Sequence, residues 1–218
     1  MEHDCQQNCR TQDRILDSAE RLFAENGYGR TSLRDITSDA GVNLAAVNYH
    51  FGSKEELVRR VFERKMSMVN SVRIEGVERT LQQAEQENRS PKVRELLLAF
   101  VIPTVELGLS NPQARNFISL VWRAMGDPEG TLGRHFIDSA RPSFRILHQA
   151  VCKALPGRDP QSLLFSLIVG MTAMGTVIVR LSADTAFPFF TESQKEDFRQ
   201  WVTKQHKLID FISAGMEA

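Results

Sequence analysis

From Asn43 to Lys54 the chain reads NLAAVNYHFGSK, placing small, amide, phenol and imidazole groups on one short helix and an ammonium group at the start of the next. Val47 is the natural inward anchor and Phe51 closes the corner, which leaves Leu44, Ala45, Ala46, Asn48, Tyr49 and His50 for other surfaces. Two alanines let a backbone approach a partner closely. An amide such as Asn48 can read a base edge, and a phenol such as Tyr49 can reach a phosphate. His50 can face the same partner or pack at the helix end. This is the chemistry of a nucleic-acid reader. The chain carries no G-x-G-x-x-G, G-x-S-x-G or H-E-x-x-H and no paired His and acid at helical spacing, so an enzyme is not expected.

The elements that must position these groups follow from punctuation. Apolar residues at Ile15, Leu16, Ala19, Leu22 and Phe23 mark one face of a helix that Asn26-Gly27 ends. Ser32 with Asp35 is a capping box using the shorter acid, and Leu33, Ile36 and Ala40 then share a face. Gly41 relieves a sharp reversal, Val42 plugs the gap, and Asn43 caps the helix from Leu44 to His50. Ser53 with Glu56 opens a long amphipathic stretch from Lys54 to about Asn88. Four cap-proline pairs follow, Ser90-Pro91, Asn111-Pro112, Asp127-Pro128 and Asp159-Pro160. Thr191 with Gln194 opens a last helix whose apolar face carries Phe198, Trp201, Val202, Leu208, Ile209 and Ile212. The fold class is all-α with about nine helices, and Pro103 and Pro142 should kink or break theirs.

With 218 residues, 42% hydrophobic and 25% charged, the chain reads as a soluble globular protein. Its 27 basic residues equal its 27 acids, which argues against a general nucleic-acid coat while leaving a local reader open. Residues 1–65 hold ten Lys/Arg against eleven Asp/Glu, so Arg14, Arg30, Arg34 and Lys54 would have to cluster while Glu20 and Glu25 point elsewhere. Three cysteines make no disulfide framework, and His3, Cys5 and Cys9 match no common zinc spacing, so no metal or cofactor is expected. The N-terminus lacks a signal-peptide layout, and the apolar run Leu163–Val179 reads as a buried helix; a cytoplasmic location is expected. Ser166, Gly170 and Ala173 make a small-residue face suited to close helix packing.

The stretches RILDSAERLFAENGYGRTSL and AGVNLAAVNYHFGSKEEL closely resemble the DNA-binding domain of the tetracycline-repressor (TetR) family over about residues 10 to 65. The resemblance implies a tail over 1–9, a three-helix helix-turn-helix domain over 10–56, and a helical ligand-binding and dimerisation domain over 57–218. It implies that Ser32, Tyr49 and Lys54 contact phosphate, and that Leu44, Ala45, Ala46, Asn48 and His50 face the major groove. Asn48 stands where many members have tyrosine, which should alter base preference. An Ω-shaped homodimer on a palindromic operator is implied, with the last two long helices as its interface. A small-molecule effector would then release a repressor from its DNA.

The wording VNLAAVNYHFGSK with FISAGM near the C-terminus resembles a sub-branch that includes regulators of fatty-acid metabolism. A fatty acid or acyl thioester is therefore the first choice of effector. Phe100, Phe117, Trp122, Phe136, Phe144, Phe165 and Met171 are the candidate pocket residues, with Arg115, Arg123, Arg134, Arg141 and Arg145 as candidate head-group donors. The rival readings are a regulator answering a drug-like or aromatic compound and a helical adaptor that has lost DNA binding.

Overall fold

A computed structural model describes residues 2–182 apart from positions 111 and 128, then 191, 193–194 and 207–217, without the side chains of 2–7, 104–115 and 177–182. Nine helices and no strand occur among the described residues: α1 Glu2–Asn26, α2 Leu33–Ala40, α3 Leu44–Phe51, α4 Lys54–Gln86, α5 Val93–Ser110, α6 Pro112–Gly126, α7 Thr131–Ala154, α8 Pro160–Ser182 and α9 Lys207–Glu217. None is long and apolar enough to cross a membrane. α1 already contains residues 2–9, the stretch expected as a tail. Asn111, Pro128, Phe198, Trp201 and Val202, expected as caps or as part of an apolar face, lie outside the described residues.

The chain packs as two units, one of Met1–Met68 with Pro112–Ala140 and one of Val69–Asn111 with Arg141–Ala218. The first extends beyond the helix-turn-helix segment because α6 lays Phe117, Leu120 and Ala124 into the same core as Phe23, Ile36, Val47 and Phe62. Phe62 meets Phe117 and Phe136 at ring centroid distances of 6.1 and 6.0 Å. The second unit has its own core of Val77, Leu96, Leu97, Leu147, Val151, Leu163, Leu167 and Ile212. Helices α4 and α7 each contribute residues to both units.

Neither internal proline ends its helix, contrary to the break the sequence allows: α5 runs through Pro103 and α7 through Pro142. Pro103 has no N–H for the carbonyl of Ala99, four residues earlier. That carbonyl faces α4 at Gly76, where an added Cβ would lie 3.1 Å from it. Glycine at 76 thus gives the freed oxygen room.

Two cap-proline starts are displaced. α5 begins at Val93, with the Lys92 carbonyl accepting from Glu95 and Leu96 at 3.0 and 3.2 Å. α7 begins at Thr131, after Asp127 accepts the Gly130 N–H at 3.1 Å. The Asp159 cap stands as expected, its carboxylate accepting the Ser162 N–H at 2.8 Å. At Thr191 the hydroxyl accepts from the Gln194 N–H at 3.3 Å while the Gln194 side chain accepts from the Thr191 N–H at 2.9 Å.

The small residues of α8 do not share one contact. Gly170 is buried inside the chain against α9, where an added Cβ would lie 2.8 Å from Ile212, whereas Ala173 is exposed. Phe165, Ile168 and Val169 are exposed at 69%, 50% and 50%, and Phe211 of α9 at 77%. Among the described residues an apolar stripe at i, i+3, i+4 on α8 therefore stays uncovered.

Candidate nucleic-acid interface

The helix-turn-helix is built from its caps inward. Ser32 caps α2: its hydroxyl accepts the Asp35 N–H at 3.2 Å, while the Asp35 carboxylate accepts the Ser32 N–H at 2.7 Å. Those bonds hold the Asp35 carboxyl below its ordinary range. Gly41 ends α2 at φ 61°, ψ 41°, and Val42 N–H reaches back to the Thr37 carbonyl at 3.0 Å. This left-handed reversal is what glycine allows at little cost. Asn43 then caps α3 by accepting the Ala46 N–H at 2.8 Å. α2 and α3 are pinned from below by Ile36, Ala40, Val47 and Phe51, all buried.

Pinning Val47 and Phe51 inward fixes which residues of α3 face out. Tyr49 is 80% exposed and Leu44 40%; Ala45 and Asn48 are exposed, and Ala46 is half-buried. His50 is half-buried, its Nδ1 lying 3.3 Å from the side-chain nitrogen of Gln12 on α1 and its ring 5.1 Å from that of Tyr49, edge to face. Lys54, at the start of α4, donates to the Tyr28 carbonyl and sits 4.2 Å over the Tyr28 ring. Burial lowers its pKa, with Asp35 opposing that shift. The ammonium has three donors, so this latch leaves hydrogens for a further acceptor.

Electrostatics separates the charges that counting could not. Every acid from Asp13 to Glu63 is engaged. Arg64 holds Asp13 and Asp17 at 3.5 and 2.7 Å, and Lys65 holds the buried Glu20 at 3.1 Å. Arg21 holds Glu25 and Asp39; Arg59 and Arg60 hold Glu56 and Glu63; His135 stands 3.6 Å from Glu55. Such exposed pairs add little stability, but they decide where uncompensated charge remains. Among the described residues Arg10, Arg14, Arg30, Arg34 and Lys54 form no ion pair with an acid. Arg14 instead donates to the Ala40 and Gly41 carbonyls at the end of α2, and Arg30 to the Asn26 carbonyl at 3.0 Å. The unneutralised cations thus lie on the first half of α1, the α1–α2 loop, the first turn of α2 and the start of α4. Glu20 is withdrawn into the core, and burial raises its pKa against the pull of Lys65 and Arg64.

The candidate effector residues divide between the two cores. Phe117 and Phe136 pack in the first unit; Phe100, Phe144 and Met171 belong to the second. Trp122 is half-buried on α6. Phe165 is exposed on α8, outside either core. Of the candidate head-group donors, Arg123 is spent on the Ala24 and Glu25 carbonyls at 2.9 and 3.1 Å, and Arg134 on the Glu129 carbonyl. Arg141 and Arg145 are exposed, and the Arg115 side chain lies outside the described residues.

Sequence reasoning missed Arg73. It stands 4.4 Å over the Phe100 ring, and burial pushes its pKa down to about 10. The signal was present, because Arg73 interrupts the buried stripe Met66, Val69, Val77 of α4 at helical spacing. An open cleft of about 420 Å³ lies in the first unit, between Arg14, Ser18, Glu20, Asp39 and Lys65, where Ser18 already bonds Asp39, Lys65 pairs with Glu20 and Arg14 donates to the Ala40 and Gly41 carbonyls.

Two family models match the chain. Residues 15–61 match the bacterial regulatory proteins of the tetR family, and residues 98–215 match the tetracyclin repressor-like C-terminal domain. The chain is 30% identical over 108 residues to YttP of Bacillus subtilis, named a probable HTH-type transcriptional regulator, a match covering 50% of this chain and 48% of that one. It is 42% identical over 53 residues to the HTH-type transcriptional regulator TtgR of Pseudomonas putida, covering 24% and 25%. The chain thus spans about half the length of the first of these relatives and a quarter of the second. In fold it is similar to the fatty acid degradation regulator FadR from Bacillus halodurans, with a TM-score of 0.62 at 14% identity over 93% of this chain and 98% of that one.

Proposed function

This chain belongs to the TetR family of bacterial regulatory proteins, and on that premise we propose that it is a DNA-reading repressor acting as a homodimer on a palindromic operator. The family and these relatives are transcriptional regulators, not enzymes. The observation that carries the reading is the outward face of α3. Tyr49 stands 80% exposed beside Asn48 and Ala45, on a helix whose other side is locked by Val47. The Tyr49 ring touches His50 edge to face yet stands mostly in solvent and outside the core, where a phosphate oxygen would use its hydroxyl. Ser32, Leu44, Ala46, His50 and Lys54 complete the proposed surface.

The exposed stripe of Phe165, Ile168 and Val169 on α8, with Phe211 of α9, supports a two-fold interface, since a second copy would cover it with the same residues. The two recognition helices must then stand about 34–36 Å apart to enter successive major grooves. A cytoplasmic location follows from this role. The experiment is selection from random duplexes by the purified protein. Recovery of a two-fold symmetric sequence supports the reading; recovery of unrelated sequences even at low salt overturns it in favour of an adaptor.

For the effector we propose a mainly apolar molecule with an anionic head, a fatty acid or acyl thioester. Support comes from Arg73, which brings a cation onto the Phe100 ring beside the second core. The same cation disfavours a positively charged drug-like compound. Because α4 belongs to both units, a ligand that binds one position of its second half better shifts the population away from DNA. Release from the selected duplex should depend on acyl chain length and weaken about tenfold in Arg73→Leu. Release indifferent to chain length but driven by a cationic compound overturns the acyl choice.

A further inference from the structure

We propose that Gln12 is a positioning residue for DNA reading. It fixes His50 in the tautomer with the proton on Nε2, so that His50 offers the duplex a hydrogen-bond donor and never an acceptor. This rests on the reading of α3 as the DNA face.

The geometry comes from two helices. Gln12 lies three and four residues before Ile15 and Leu16, on the face of α1 that those residues bury in the first core at 0% and 8% exposure. It is the polar residue that continues the stripe Ala19, Leu16, Ile15 one turn beyond the core, so the core itself sets its position. Its side-chain nitrogen lies 3.3 Å from Nδ1 of His50, across 38 residues of sequence, and both residues are half-buried. On the other side the Tyr49 and Phe51 rings stand 5.1 and 6.1 Å away by centroid. An amide nitrogen has hydrogens and no available lone pair, so it donates. Nδ1 therefore accepts, and in the neutral ring the one remaining proton belongs to Nε2.

The chemistry follows from the groove code. A ring with Nε2–H can bond O6 or N7 of guanine, N7 of adenine, O4 of thymine or a phosphate oxygen, all acceptors, so cytosine, which presents only its amino donor, is the base it refuses. It cannot accept from the amino groups of adenine or cytosine. Gln12 lies outside the matched segment 15–61. A residue of α1 that never touches DNA thus selects which bases a residue of α3 tolerates.

The test joins a spectroscopic readout on the full-length protein to binding. Nitrogen-15 shifts of the His50 ring, at a pH where the imidazole is neutral, report the tautomer directly. The wild type is expected to show Nε2–H. Gln12→Leu should lose that bias and lower the discrimination at one base step per half-site by about fivefold, the effect of one ordinary hydrogen bond. Gln12→Glu replaces the donor by an acceptor, draws the proton to Nδ1 and should turn the preference at that step toward cytosine. If both variants lower affinity equally for all duplexes, the acceptor is a phosphate oxygen, and the donor role stands without base choice. Equal unfolding temperatures across the three proteins exclude a folding effect. An Nδ1–H ring in the wild type, or His50 shifts unmoved in both variants, overturns the proposal. Shifts that move while every affinity stays constant remove His50 from the DNA surface and overturn it too. A wild type that selects no duplex, with the expected shifts intact, refutes the DNA reading alone.

Discussion

Gly41→Ala perturbs the turn that aims α3, and its cost divides into two parts. The first is conformational: at φ 61° and ψ 41° an L-residue sits in the left-handed region, at roughly 1–2 kcal/mol relative to glycine. The second is a contact, because the new Cβ would lie 2.8 Å from Nη2 of Arg14. The guanidinium is the far end of a flexible side chain and can withdraw. In doing so it gives up its bonds to the Ala40 and Gly41 carbonyls, worth about 1 kcal/mol at a partly exposed site.

The total is about 2–3 kcal/mol, or roughly 4–12 °C in melting temperature for a chain of this size. Denaturant unfolding of Gly41→Ala, Arg14→Leu and the double variant closes a thermodynamic cycle. In the Arg14→Leu background the alanine should cost only its conformational part, so the two changes couple by about 1 kcal/mol. A cost below about 0.5 kcal/mol for Gly41→Ala, or an undiminished cost without Arg14, refutes this account of the turn.

Other changes separate surface from core. Tyr49→Phe should leave the melting temperature unchanged and weaken binding to all duplexes by about 1 kcal/mol per half-site, while Asn48→Ala relaxes preference at one position, both read by anisotropy at fixed salt. Gly170→Leu should lower stability by overpacking the α8–α9 contact at Ile212, whereas Phe165→Ser should leave the fold intact and shift sedimentation toward monomer. Glu20 has a folded-state carboxyl raised above its unfolded value. Its stabilising contribution is therefore fully present below the unfolded value and lost as pH rises through the folded one. The difference in urea stability between wild type and Glu20→Gln should accordingly fall as pH rises from the ordinary glutamate range upward, and a flat difference contradicts the burial of this acid.

The reading frame of the helix-turn-helix was legible because its signals are local. Ser32 with Asp35, Gly41, Asn43 and the inward pair Val47 and Phe51 each act on a backbone a few residues away, and each stands where its type requires. What depended on distant partners was not. Equal charge counts hid the withdrawal of Glu20 to Lys65 and of Asp39 to Arg21, because α1, α2 and α4 meet only in the fold. Ser166, Gly170 and Ala173 read as one face for close helix packing, but spacing alone did not name Ile212 as the partner of Gly170 or leave Ala173 exposed. The aromatic list could not be divided between two cores, because Phe117 and Phe136 follow Phe100 in sequence yet pack on Phe62. Arg73 and Gln12 are visible in retrospect as polar residues on apolar stripes.

The central claim is that α3 faces DNA while the uncovered stripe of α8 faces a second copy. Placing a photoreactive phenylalanine analogue at Tyr49, and separately at Phe165, tests both surfaces at once in the full-length protein with a selected duplex. The account predicts protein–DNA adducts from position 49 and protein–protein adducts from position 165. Adducts from position 49 to protein alone, or from position 165 to the duplex, would contradict it.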